Sequence, residues 1–156
     1  MTDMLASIDP GVNGAGLAIW DGRELIRACY VSPMPFCRPD RLCRVAYQTE
    51  IEISRTTVDV LPRVIELPRV YPGARKNDPN DLVDLACVAG ALGNEFTEYV
   101  YPRTWKGQVP KVVMGKRIMS RLSEGEKWNI EKCPESLKHN VLDAIGIGLW
   151  KLGRLS

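Results

Sequence analysis

Three apolar runs, MLASID, GAGLAIW and ELIRACYV, fill most of the chain up to residue 31. Each is short and bounded by turn residues, the pattern of a strand rather than a helix. Asp21-Gly22 between the second and third is a strong hairpin signal. The chain is therefore expected to open with an antiparallel three-stranded meander, on which every later element must pack or pair.

Residues 32 to 40 carry three prolines and read as a loop. From Asp40 to about Thr56 the spacing of Leu42, Val45, Ala46 and Ile53 predicts a helix. RVIEL is a short buried strand stopped by Pro68. After the turn-rich YPGARKNDPN, Asn80 or Asp81 can cap a helix reaching Leu92, with Leu82, Leu85, Ala86 and Ala89 on its apolar face. TEYVYP is a fifth strand, Val109 to Leu122 a helix, Ser123 to Pro134 a charged loop, and Ser136 to Leu152 a last helix. Strands mixed with helices in this order define an α/β protein with a mixed sheet, and 156 residues suit one domain spanning 1–156.

No apolar run approaches the roughly 18 residues of a membrane span, and the start shows no signal-peptide pattern. Five cysteines (29, 37, 43, 87 and 133) form no C-x-x-C pair. Buried thiols in a reducing cytoplasm are the expectation. The net charge is only +2, yet Arg103, Lys106, Lys111, Lys116, Arg117 and Arg121 follow one another with no acidic residue between them. Such a stretch is either a solvated helix face or a footprint for phosphates.

Three carboxylates stand where charge is costly. Asp9 ends an apolar strand, Glu66 lies inside RVIEL, and Asp143 is the one charge in VLDAIGIGLW. A buried carboxylate must be paired, hydrogen-bonded or metal-bound. For any one of them a structural salt bridge is an equal reading; three in one small domain shift the balance toward a site. Hard oxygen donors favour Mg²⁺ or Mn²⁺, and two such ions held by carboxylates are a standard device for phosphodiester hydrolysis. His139 and Asn140, four and three residues before Asp143, can each share its side of the helix and serve as a fourth ligand.

The ordered set SIDPGVNGAGLAIWD, VIELPRVY, NDPNDLVDLACVAGAL, VYPRTWKGQVPK and HNVLDAIGIGLW resembles the RuvC-type Holliday junction resolvases of the RNase H-like superfamily, in particular their phage-type relatives. The resemblance implies a five-stranded mixed sheet with helices on both faces. It also implies a metal-dependent endonuclease holding two Mg²⁺ or Mn²⁺ ions and making paired nicks in four-way DNA junctions, with 5′-phosphate and 3′-hydroxyl products. Asp9, Glu66 and Asp143 match its catalytic and metal-binding carboxylates. Asn140 stands where the family has an Asp or His, so Asn140 or the neighbouring His139 would complete the site. Arg69 stands where the family has a base-probing aromatic, and Tyr71 is the nearest replacement.

The resemblance also assigns DNA contacts to Arg69, Tyr71, Arg75, Lys76, Arg103, Lys106, Lys111, Lys116 and Arg117, a two-fold homodimer to the helix ending at Leu92, and the bacterial or phage-infected host cytoplasm as the compartment. The glycines after Asp9 would shape the hairpin and leave room for a DNA backbone. Competing readings are a same-fold nuclease for flaps, forks or RNA, a non-catalytic DNA-binding relative, and an actin-like ATP-binding domain. The last needs two such domains around its cleft.

Overall fold

The computed structural model describes residues 3–33, 40–69 and 78–155. Their centre is a five-stranded sheet of order β3-β2-β1-β4-β5. The strands are β1 (Met4–Pro10), β2 (Ala15–Asp21), β3 (Glu24–Val31), β4 (Arg63–Glu66) and β5 (Thr97–Val100). β1, β2 and β3 form the expected antiparallel meander, whereas β4 and β5 add parallel to β1. The sheet is thus mixed, and the parallel additions require helical crossovers.

Alternation along the strands divides the core in two. Ala6, Ile8, Leu17, Ile19 and Ile65 meet α1 (Asp40–Ser54) and α2 (Pro79–Ala91) on one face. Leu42, Val45, Ala46 and Ile53 are buried from α1, as their spacing predicts. On the opposite face Ala18, Trp20, Ala28 and Val64 pack against α6 (Lys138–Lys151). That layer is completed by the short α3 (Pro102–Trp105), α4 (Lys111–Ser120) and α5 (Glu124–Glu131), with a 3-10 turn at Glu135–Leu137.

Several local expectations need correction. The 123–134 stretch is not a loop, because Ser123 and Glu126 form a reciprocal capping box that starts α5. α2 is capped by the Asp78 side chain, with Pro79 in its first turn, rather than by Asn80 or Asp81. Its core-facing residues are Val88 and Ala89, followed by Leu92, while Ala86 is exposed. Of the four described cysteines, Cys43 and Cys87 are exposed, so burial does not account for all the thiols; Cys37 lies outside the described residues. Among the described residues no helix is long and apolar enough to cross a membrane.

Candidate active site

Ile8 pairs with Ile65 across the parallel β1–β4 boundary. Asp9 and Glu66 each stand one position further on, so alternation turns both carboxylates toward the α6 face. Asp143 comes from α6 itself. Its approach depends on Gly16, the antiparallel partner of Asp9. A Cβ at Gly16 would collide with the backbone carbonyl of Asn140. The glycine therefore admits the first turn of α6 onto the sheet beside Asp9. The room it leaves is filled by protein backbone, not left open for DNA.

Glu66 is positioned by the buried Trp105, whose indole N–H donates to Glu66 Oε2 at 2.6 Å. The indole has a place because Gly146 has no side chain; a Cβ there would press on the Trp105 ring and on Ile118. α6 repeats this device at Gly148, which accommodates Trp20, and Trp20 donates to the buried Ser7 at 2.9 Å. Two glycines in one helix cost about 1 kcal/mol each relative to alanine. Here they are the seats of two tryptophans that fix α6 and the carboxylate of β4.

Burial raises the Asp9 carboxyl well above the usual range, and the charges of Glu66 and Asp143 push it further. Lys106 and Lys111 act in the opposite direction. Glu66 is also raised by burial, while Lys106 and the Trp105 hydrogen bond draw it part of the way back. Lys106 Nζ lies 3.5 Å from Glu66 Oε2 and 3.9 Å from Asp143 Oδ2. Asp9 and Glu66, both with raised proton affinity, stand with Asp143 as a mutually repelling group that suits a centre taking up a cation. Their hard oxygens fit Mg²⁺ or Mn²⁺ in kind. In the arrangement seen here Lys106 bridges two of them. Among the described residues no three His, Cys, Asp or Glu side chains stand together as a ready coordination cluster.

No family model matches the chain, and no curated protein matches it by sequence. Solved structures do. T. thermophilus RuvC in complex with a Holliday junction substrate aligns with TM-score 0.67 at 17% identity, over 94% of this chain and 91% of that one. The chain has the RuvC fold. A second Thermus thermophilus RuvC structure aligns with TM-score 0.61 at 16% identity, over 94% and 92% of the two chains. The yeast mitochondrial Holliday junction resolvase Ydc2 aligns with TM-score 0.61 at 12% identity, over 97% and 81%.

On this RuvC fold the predicted residues separate into groups. Asp9, Glu66, Asp143, Lys106 and Lys111 fall within one electrostatic neighbourhood. His139 is exposed and lines a groove of about 550 Å³ between α4 and α6, with Lys111, Val112, Lys116 and Leu142. Asn140 is half-buried at the Gly16 contact. Arg69 stacks its guanidinium 4.9 Å from the Tyr101 ring centre, just beyond the ends of β4 and β5. Arg103 and Arg117 are exposed. Tyr71, Arg75 and Lys76 lie outside the described residues.

Three contributors were not singled out from the sequence. Trp105 precedes Lys106 in the sequence, and its hydrogen bond to Glu66 requires the fold. Tyr101 falls in the predicted strand TEYVYP, yet it lies beyond the end of β5, is 41% exposed and pairs with Arg69. Tyr30, the neighbour of Gly16 on β3, has its hydroxyl raised by burial and by the charge of Asp9. Only the YVYP aromatic pattern offered a signal, and it is equally a strand signal.

Proposed function

We propose that this chain is a divalent-metal-dependent endonuclease for branched DNA, with four-way junctions as its preferred substrate. The observation that carries this reading is the shared electrostatic neighbourhood of Asp9, Glu66 and Asp143, beside Lys106 and Lys111, on a RuvC fold. The junction complex of the T. thermophilus relative supports the substrate class. Asp9, Glu66 and Asp143 would hold two Mg²⁺ or Mn²⁺ ions, with Asn140 or His139 as a further donor. Ions bound there would provide a nucleophile at neutral pH and positive charge for the leaving oxygen.

The chain's own residues orient and select. Trp105 fixes the rotamer of Glu66 through its N–H. The first turn of α6 fixes Asp143 relative to Asp9. Lys111 and Lys116, with Arg69, Arg103 and Arg117, would neutralise phosphates without reading bases. The exposed Arg69–Tyr101 stack offers a planar surface at the end of β4 and β5, suited to an unstacked base at a branch point.

Paired cuts call for two sites. α2 exposes Val83, Ala86, Cys87, Gly90 and Ala91, an apolar strip that supports a two-fold homodimer. We place the activity in one nuclease domain working in the cytoplasm of a bacterial or phage-infected cell.

The test is cleavage of a panel of labelled substrates (four-way junction, flap, fork and linear duplex) in Mg²⁺ and in Mn²⁺. Paired symmetric nicks confined to the junction are expected. Cutting of flaps or forks at equal rates would favour the broader branched-DNA reading, which the replacement of an aromatic by Arg69 also favours.

A further inference from the structure

Lys106 was expected among the DNA contacts, but its ammonium group is already engaged inside the carboxylate site. It reaches both Glu66 and Asp143, at 3.5 and 3.9 Å. It also lies 4.8 Å from the centre of the Trp105 ring. The three partners are covered: the Glu66 and Asp143 side chains are 14% and 18% exposed, and Trp105 is 4% exposed. Lys106 itself keeps 28% exposure, on a stem flexible enough to swing away. Gly107 follows it with φ of +59°, a conformation other residues rarely adopt. The lysine thus leads into a tight turn between α3 and α4, and its position is set by the backbone on both sides.

One ammonium group facing two carboxylates, Glu66 and Asp143, leaves that pair undercompensated. A doubly charged ion would compensate the group better, yet it seeks the same oxygens that the ammonium faces.

We propose that Lys106 is a resident counter-cation of the carboxylate site, displaced when a divalent ion enters and then presented to the DNA backbone. The inference rests on the metal-dependent nuclease reading above. It makes Lys106 an antagonist of metal loading in the free protein and a phosphate contact in the loaded one. If the lysine-withdrawn arrangement makes up about a tenth of the free protein, the apparent metal affinity is weakened about tenfold. The exchange couples metal to DNA, because each loading event frees one cation for a phosphate.

The test is Mn²⁺ binding, read from the loss of the free-ion electron paramagnetic resonance signal, on the full chain without DNA. Lys106→Met should bind Mn²⁺ about tenfold more tightly than the wild type, and Asp9→Asn more weakly than both. In chelator, Lys106→Met should melt lower than the wild type and gain more on adding Mn²⁺. Should the methionine variant not fold, Lys106→Gln is read in the same way. The salt dependence of junction binding gives a second readout. In chelator the wild type and the variant should share one slope; with Ca²⁺ the variant's slope should be shallower by about one phosphate contact. Unchanged or weakened Mn²⁺ binding by a folded Lys106 variant overturns this inference alone, as do equal slopes under both conditions. Absence of Mn²⁺ binding in the wild type and all variants overturns it together with the nuclease reading.

Discussion

Asp9 and Glu126 are both carboxylates withdrawn from water, and their neighbours treat them in opposite ways. Burial alone would raise Glu126, but hydrogen bonds from Arg154 and from the backbone N–H groups of Leu25 and Ser123 hold it at about 2. Glu126 therefore ties α5 to β3 and to the C-terminal Arg154. Among the described residues Asp9 has no comparable donor set, and burial with Glu66 and Asp143 raises it. This contrast separates a carboxylate held by hydrogen bonds from one proposed as a metal ligand. Because the folded-state pKa of Glu126 lies below its ordinary value of 4.5, its stabilisation is complete above that value and is lost as pH falls toward about 2. Glu126→Gln should lower stability at neutral pH by about 2 kcal/mol and flatten the acid limb between those values, measured by urea titrations at stepped pH. Asp9→Asn should do the reverse, raising the melting temperature at neutral pH in chelator, while cutting falls by about a hundredfold or more. Trp105→Phe keeps the ring against Gly146 but removes the donor to Glu66. It should cost about 1–2 kcal/mol and reduce cleavage, with junction affinity unchanged.

At the level of elements, α6 carries the site and shows where sequence reasoning reached its limit. VLDAIGIGLW was legible as a buried helix with one costly charge, because its apolar residues surround Asp143 on every side. The roles of its glycines were not legible, since Gly146 and Gly148 are explained by Trp105 and Trp20, partners distant in sequence. The adjacency of Asp9 and Glu66 likewise rests on parallel pairing of two strands far apart in the chain. α5 was missed for a different reason. Its charged composition hid a local signal, the Ser123–Glu126 capping box, that pattern reading can detect. Gly146→Ala provides a direct check. Alanine is favoured in helices by about 1 kcal/mol, yet here its methyl would press on the Trp105 ring and Ile118. The expected result is a lower melting temperature and weaker cleavage. Gly125→Ala in α5, where a Cβ meets only a contact at 4.0 Å, should instead leave stability unchanged or raise it by up to about 1 kcal/mol.

Across the whole molecule, the sheet keeps the proposed chemistry and the proposed assembly on opposite faces. One face gathers the carboxylates, α6 and the lysines. The other packs α1 and α2, and α2 turns its apolar strip outward. Val83 is 61% exposed, so Val83→Glu should leave the fold intact while converting a dimer to a monomer in light scattering. A monomer so made should still nick a junction, but the two nicks would no longer be paired. The central claim is that Asp9, Glu66 and Asp143 form a metal-dependent phosphodiesterase centre directed at branched DNA. Its most direct test is cleavage of a labelled four-way junction in Mn²⁺ by the wild type and by Asp9→Asn, with binding measured in parallel. Paired nicks by the wild type, lost in the variant while junction binding persists, are predicted. Tight binding by the wild type with no nicking in Mn²⁺ or Mg²⁺, or undiminished nicking by Asp9→Asn, would contradict it.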